Sequence, residues 1–168
     1  GNYDVSISFD EKDEMNILAK TFTEAAQKIG KNAKKIKELA FSDSLTGVRN
    51  RHYLNQMLDN WPESVAYTGV IFCDLNKLKF TNDNYGHDAG DKLICNFANI
   101  LRSLFQTEDI IRYGGDEFVI IIKGIAQDKF NLLLRDFDKV NKQDEVPYAS
   151  IGYLWDKNCT DLQNLINQ

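Results

Sequence analysis

The stretch that most restricts how this chain can fold is IIRYGGDEFVII at residues 110–121, where two runs rich in β-branched and aromatic residues flank Arg-Tyr-Gly-Gly-Asp-Glu. Such runs read as strands, and so short a connection joins only antiparallel neighbours, which predicts a hairpin within a sheet. Glycines alone would make the turn. The adjacent acids Asp116 and Glu117 repel one another there unless a cation is expected.

The flanking pattern predicts the rest of the sheet. An apolar strand falls near Val65–Cys73 and a helix near Ala89–Phe105, carrying Leu93, Phe97, Ile100, Leu101 and Leu104. Strands follow at Asp109–Tyr113 and Phe118–Lys123, then a helix at Gln127–Asn141 and a strand at Pro147–Trp155. The order β-α-β-β-α-β is the ferredoxin-like pattern of the α+β class, an antiparallel sheet with helices on one face. In such a sheet the first strand lies beside the hairpin, so its end, Asp74, comes close to the turn.

Asp74, Asp116 and Glu117, with no cationic side chain between them, describe a Mg²⁺ site completed by water and substrate phosphates. Two such ions can activate a hydroxyl and steady a leaving pyrophosphate. Gly114 and Gly115, without side chains, let backbone N–H groups approach phosphate oxygens. Taken alone, the turn is equally compatible with an ordinary solvated hairpin.

The segment FCDLNKLKFTNDNYGHDAGDKLI (72–94) is dense in polar groups just where the first strand gives way to a helix. Asn82 and Asp91 can pair with guanine, whose N1 and N2 donors suit a carboxylate and whose O6 and N7 acceptors suit an amide. Taken singly, both are also ordinary helix-cap and turn residues. His87 reads as a structural hydrogen bonder or a nucleotide neighbour, and Lys79 and Arg112 as phosphate contacts or surface charges.

Upstream, Met15, Leu18, Phe22, Ala25, Ile29, Asn32, Ile36 and Leu39 recur at alternating steps of three and four, with Asn32 the one polar member. Ala19, Ala26, Ala33 and Ala40 widen this heptad stripe, which predicts a helix suited to a parallel dimer. The alternative is an amphipathic helix lying on its own domain. The acids of FDEKDEMNILAKTF stand at the helix start, where the helix dipole favours them. This segment resembles the closing half of a HAMP linker, which implies a missing N-terminal part with a membrane anchor and sensor.

Composition narrows the classes further. With 168 residues and 43% hydrophobic content, the chain can bury one core and carry an appendage. At a net charge of −5 and with only KNAKKIK (31–37) as a basic cluster, a nucleic-acid groove is disfavoured. Cys73, Cys95 and Cys159 lack metal-ligand spacing and read as reduced thiols. No stretch reaches the roughly 18 apolar residues of a membrane span.

SDSLTGVRNR, DLNKLKFTNDNYGHDAGD, RYGGDEF and YASIGY occur in the order and approximate spacing of the GGDEF family, which residues 41–168 resemble. Family members are diguanylate cyclases that condense two GTP into cyclic di-GMP and release two pyrophosphates. The resemblance implies that Asp74, Asp116, Glu117 and the Leu75 carbonyl hold two Mg²⁺ (or Mn²⁺) ions per half-site, and that Asp116 deprotonates the ribose 3′-hydroxyl. It places Asn82 and Asp91 on guanine, His87 near the nucleotide and Lys79 near the phosphates. It also implies a homodimer of facing half-sites, with residues 1–40 as signalling linker, and a cytoplasmic domain of a membrane-anchored bacterial receptor.

Two departures bear on this. Many relatives carry an Arg-x-x-Asp product-inhibition site where this chain has Phe105 and Glu108, so feedback is not expected there. Relatives also continue into a helix that supplies basic residues to the triphosphate, whereas this sequence stops at DLQNLINQ, where that helix is expected to begin. A GTP-binding sensor module without turnover is therefore the alternative reading.

Overall fold

The computed structural model describes residues 11–107, 109–142 and 148–166, with side chains from Met15 onward. Pro147 and Glu108 lie outside the described residues. The chain divides into two compact units, residues 1–38 and 39–168. Helix α1 spans Glu11–Phe41. Its heptad positions are solvent-facing, with Met15, Leu18, Phe22, Ile29, Ile36 and Leu39 between 63% and 75% exposed. No helix among the described residues is long and apolar enough to cross a membrane.

The second unit is built on five strands: β1 (Arg49–Asn50), β2 (Val65–Leu75), β3 (Ile110–Arg112), β4 (Glu117–Ile122) and β5 (Ala149–Cys159). Their order across the sheet is β1-β3-β4-β2-β5. The four strands β3, β4, β2 and β5 pair antiparallel, as the ferredoxin-like pattern requires. Strand β1 adds a parallel edge on β3 and makes the sheet mixed; two residues are too short for any periodicity to announce them.

Helices cover both faces, not one. Alternation along β2 and β4 sends Ile71, Cys73, Phe118 and Ile120 to one side, where they meet Phe97 and Leu101 of α4 (His87–Leu104) and Phe130 and Phe137 of α5 (Gln127–Asn141). Val70, Val119 and Ile121 point to the other side, against Leu54 of α2 (Arg51–Asp59) and Leu162 and Leu165 of α6 (Leu162–Ile166). Nearly continuous apolar runs such as FVIII carry hydrophobic side chains on both faces, and both must be buried. All three cysteines are free, and burial pushes the Cys73 and Cys159 thiols up.

Two boundaries differ from the sequence expectation near the polar segment and the last strand. A separate helix α3, Leu78–Tyr85, precedes α4, and the two are divided at Gly86, whose φ of +85° only glycine adopts readily. Strand β5 continues past Trp155 because Asp156, Asn158 and Cys159 stay in register with Thr68, Ala66 and Val65 of β2. Ladder pairing outweighs the low strand preference of Asp and Asn.

Candidate active site

The hairpin forms where expected, and the register explains its chemistry. Asp74 lies directly opposite Glu117 across the β2–β4 pair. The Leu75 amide donates to the Asp116 carbonyl at 3.0 Å. Leu75 and Asp116 are thus a hydrogen-bonded pair, and Asp74 and Glu117 the adjoining non-bonded pair, whose Cα atoms lie about 4.5 Å apart in such ladders. Alternation turns both carboxylates to the same face as Val119, and like charges so placed repel. They line a cavity of about 500 Å³ together with Phe72, Tyr113, Ser150 and Ile166.

Asp116 sits in the bend itself and is half-buried. The three acids do not close into a ready-made cluster, since among the described residues no three His, Cys, Asp or Glu side chains converge as metal ligands. What the turn offers is a pair of hard oxygen donors, Asp74 and Glu117, with the backbone carbonyl of Leu75 at the same ladder end. That donor set fits Mg²⁺, which takes one or two carboxylates and fills the remaining positions with water and phosphate oxygens.

The glycines have different reasons. Neither Gly114 nor Gly115 has a left-handed φ. A Cβ on Gly114 would lie 2.9 Å from Glu117 Oε2, whereas nothing lies within 4 Å of one on Gly115. Gly114 therefore lets the Glu117 carboxylate fold back over the turn, and Gly115 leaves its outer side open to an approaching group.

Arg112 behaves as a clamp. Its Nε and Nη2 donate to the Gly115 carbonyl at 3.1 and 2.8 Å, and Nη1 donates to both Asp43 oxygens at 3.2 and 3.3 Å. Asp43 also accepts from the Thr46 amide at 2.9 Å and the Thr46 hydroxyl at 2.6 Å. Burial alone would raise the Asp43 carboxyl, but the bonds from Thr46 and Arg112 outweigh it and hold the group below the usual carboxylate range. Sequence reasoning missed Asp43, because nothing local pairs residues 69 apart; the turn-formers of SDSLTG were the available signal.

On the α3–α4 side, the Asn82 carboxamide packs on Gly90, filling the space a side chain there would need. Asp91, the next residue, is exposed, as are His87 and Lys79, while Asn82 is half-buried. The Gly86 amide donates to the Asn82 carbonyl at 3.0 Å and so caps the C-terminus of α3. The Asn82–Gly90 contact thus sets α3 against α4 one residue before Asp91. The described residues carry no hydrogen bond between these polar side chains and the Gly-Gly turn.

The profile described as "Diguanylate cyclase, GGDEF domain" matches residues 40–165. The chain belongs to the GGDEF family. Diguanylate cyclase DgcS of Shewanella oneidensis is 41% identical to this GGDEF chain over 90 residues, which are 51% of this chain and 30% of that protein. Response regulator PleD of Caulobacter vibrioides is 38% identical over 94 residues, 53% of this chain and 21% of PleD. The matched region is thus less than a third of either relative. Among solved structures, diguanylate cyclase SiaD of Pseudomonas aeruginosa superposes with a TM-score of 0.64 at 24% identity, covering 92% of this chain and 64% of that one. At that identity the likeness supports the fold. Diguanylate cyclases of this family generally use a divalent metal, and the donor set at Asp74, Leu75 and Glu117 suits one.

Proposed function

We propose that this GGDEF domain condenses two GTP into cyclic di-GMP and two pyrophosphates, as the output domain of a signalling receptor. The observation that carries the reading is the Asp74–Glu117 cross-strand pair, adjoining the Leu75–Asp116 bond at the mouth of an open glycine turn. A domain that needed only a hairpin would not set two like charges opposite each other there. Asp74, Glu117 and the Leu75 carbonyl, with Asp116 beside them, would hold two Mg²⁺ or Mn²⁺ ions, which supply Lewis-acid neutralisation of phosphate charge when bound.

The residues' own tasks follow from their places. Asp91 and Asn82 receive the guanine edge from neighbouring positions on α4 and α3, and His87 borders the nucleotide. Lys79 approaches the phosphates from α3, and the open side of Gly115 admits them to the turn. Asp116 takes the proton of the ribose 3′-hydroxyl. That oxygen then bonds to the α-phosphorus of a GTP held by a second copy, and pyrophosphate leaves as the α–β bridging P–O bond breaks. Arg112, held by Asp43 and Gly115, keeps the turn in shape instead of reaching for phosphate.

Each copy holds half of the reaction, so the function requires dimerisation. The exposed heptad stripe of α1 supports a second copy of this chain as the partner, because Met15, Leu18, Phe22, Ile29, Ile36 and Leu39 would otherwise face water. A parallel helix pair raises the effective concentration of one domain for the other. The HAMP-like start is consistent with a cytoplasmic position behind a membrane-anchored sensor.

Incubation of the chain at high concentration with GTP and Mg²⁺, followed by liquid chromatography with mass detection, tests the reading. Cyclic di-GMP is expected, and Asp116→Ala should abolish it with the fold intact. GTP binding without product in a demonstrated dimer would replace the cyclase reading with that of a GTP sensor.

A further inference from the structure

The Asp74–Leu75 strand end has a support on the side away from the hairpin. Asn141, the last residue of α5, is 4% exposed. Its carboxamide makes two 2.8 Å bonds to one residue: Oδ1 accepts from the Ala149 amide and Nδ2 donates to the Ala149 carbonyl. Its own carbonyl accepts from the Tyr148 amide at 3.0 Å. The side chain therefore stands in for a missing strand partner at the first residue of β5.

Register shows why that place matters. Ala149 lies opposite Leu75, and Ser150 opposite Asp74. The Asn76 amide donates to the Tyr148 carbonyl at 2.8 Å, so Tyr148 directs its carbonyl towards β2. By alternation, the polar groups of Ala149 point away from β2 to the sheet edge, where Asn141 takes them. Leu75 correspondingly turns its polar groups towards β4, as its bond to Asp116 shows. The strand end bearing Asp74 and the Leu75 carbonyl is thus held by the hairpin on one side. On the other it is held by a β5 start that Asn141 fixes to α5. Without the amide, a buried N–H and C=O lose their partners, and the strand end can shift or fray.

Resting on the cyclase reading above, we infer that Asn141 is a positioning residue for metal binding: through Ala149 it sets the Asp74–Leu75 edge in place. It touches neither nucleotide nor metal. Outer partners of metal ligands typically alter affinity by about 10–100-fold, and Asn141 acts one step further out, so an effect of roughly 3–10-fold is expected.

The test titrates the chain with Mn²⁺ in the presence of a non-hydrolysable GTP analogue, followed by electron paramagnetic resonance, alongside thermal unfolding. Asn141→Leu keeps the volume and deletes both bonds, and should raise half-saturation several-fold and speed hydrogen exchange at the Leu75 amide. Phe137→Leu, on the same helix but in the core, should lower Tm and leave the Mn²⁺ titration where it was. Asn141→Asp keeps the acceptor for the Ala149 amide, should shift the titration less in the same direction, and serves if the leucine variant does not fold. Superimposable titrations for the folded Asn141 variant and the parent overturn the inference, as does an equal shift in Phe137→Leu. Failure of the parent chain itself to bind Mn²⁺ with nucleotide overturns the cyclase reading and the inference with it.

Discussion

Arg112 ties the Asp43 carboxylate to the Gly114–Gly115 turn: the two side chains meet at 3.2 Å, and the same guanidinium holds the Gly115 carbonyl at 2.8 Å. Asp43 lies two residues past the end of α1, in the loop that leads on to β1. The turn is therefore braced from a distant part of the chain.

Breaking that brace should be measurable apart from chemistry. Asp43→Asn leaves the half-buried guanidinium without its charge partner and should cost about 1–3 kcal/mol in urea unfolding. The pH dependence has a definite sign. The folded Asp43 carboxyl is held lower than its unfolded value of about 3.9, so its contribution is present above that pH and is lost as pH falls through the folded value. The gap in stability between parent and Asp43→Asn should be widest near neutrality and narrow below about pH 4. A gap independent of pH would show that the ion pair does not carry the effect.

A second expectation comes from the opposed acids. Because Asp74 and Glu117 repel across the ladder without metal, neutralising one by Glu117→Gln should stabilise the metal-free domain by about 0.2–1 kcal/mol while removing activity. Stability gained at the expense of function marks a site that holds strain for its ligand. Thermal unfolding in excess EDTA, compared with product formation in Mg²⁺, measures both effects. A destabilised variant would mean that Glu117 serves the fold.

Much of this was legible in the chain. The hairpin, the order of the antiparallel strands and the span Gln127–Asn141 follow from period and turn chemistry, because strong β runs and glycine pairs act locally. What the sequence hid acts at long range. The Asp43–Arg112 pair, the Asn141–Ala149 bonds and the second helical layer under Val119 and Ile121 depend on which segments the fold brings together. The opposition of Asp74 and Glu117 was half visible: adjacency to the turn was readable, while the register that makes them neighbours was not. Asp116 shows the limit from the other direction, since the motif suggests three converging acids and the backbone places it in the bend.

Gly90 offers a test of the guanine side. Its missing side chain leaves room for the Asn82 carboxamide, so Gly90→Ala should displace Asn82 while α3 and α4 remain folded. GTP affinity should fall and discrimination against ATP narrow, as it also should for Asp91→Ala. Isothermal titration with both nucleotides reads the difference. Unchanged selectivity in both variants would remove Asn82 and Asp91 from base reading.

Phe105 belongs to the core. In place of the arginine of the Arg-x-x-Asp pattern stands a ring that is 2% exposed and packs edge-to-face on Phe137 with centroids 5.2 Å apart. Restoring the residue type should not restore the site. Phe105→Arg places an unpaired charge among Leu101, Ile110 and Phe137 and should destabilise the domain by about 3–5 kcal/mol or more. The parent chain should bind cyclic di-GMP weakly at this location, and titration calorimetry with the purified dinucleotide checks that directly. Tight, saturable binding lost in Phe105→Leu, which keeps the core apolar, would show that product inhibition operates here by contacts other than the arginine.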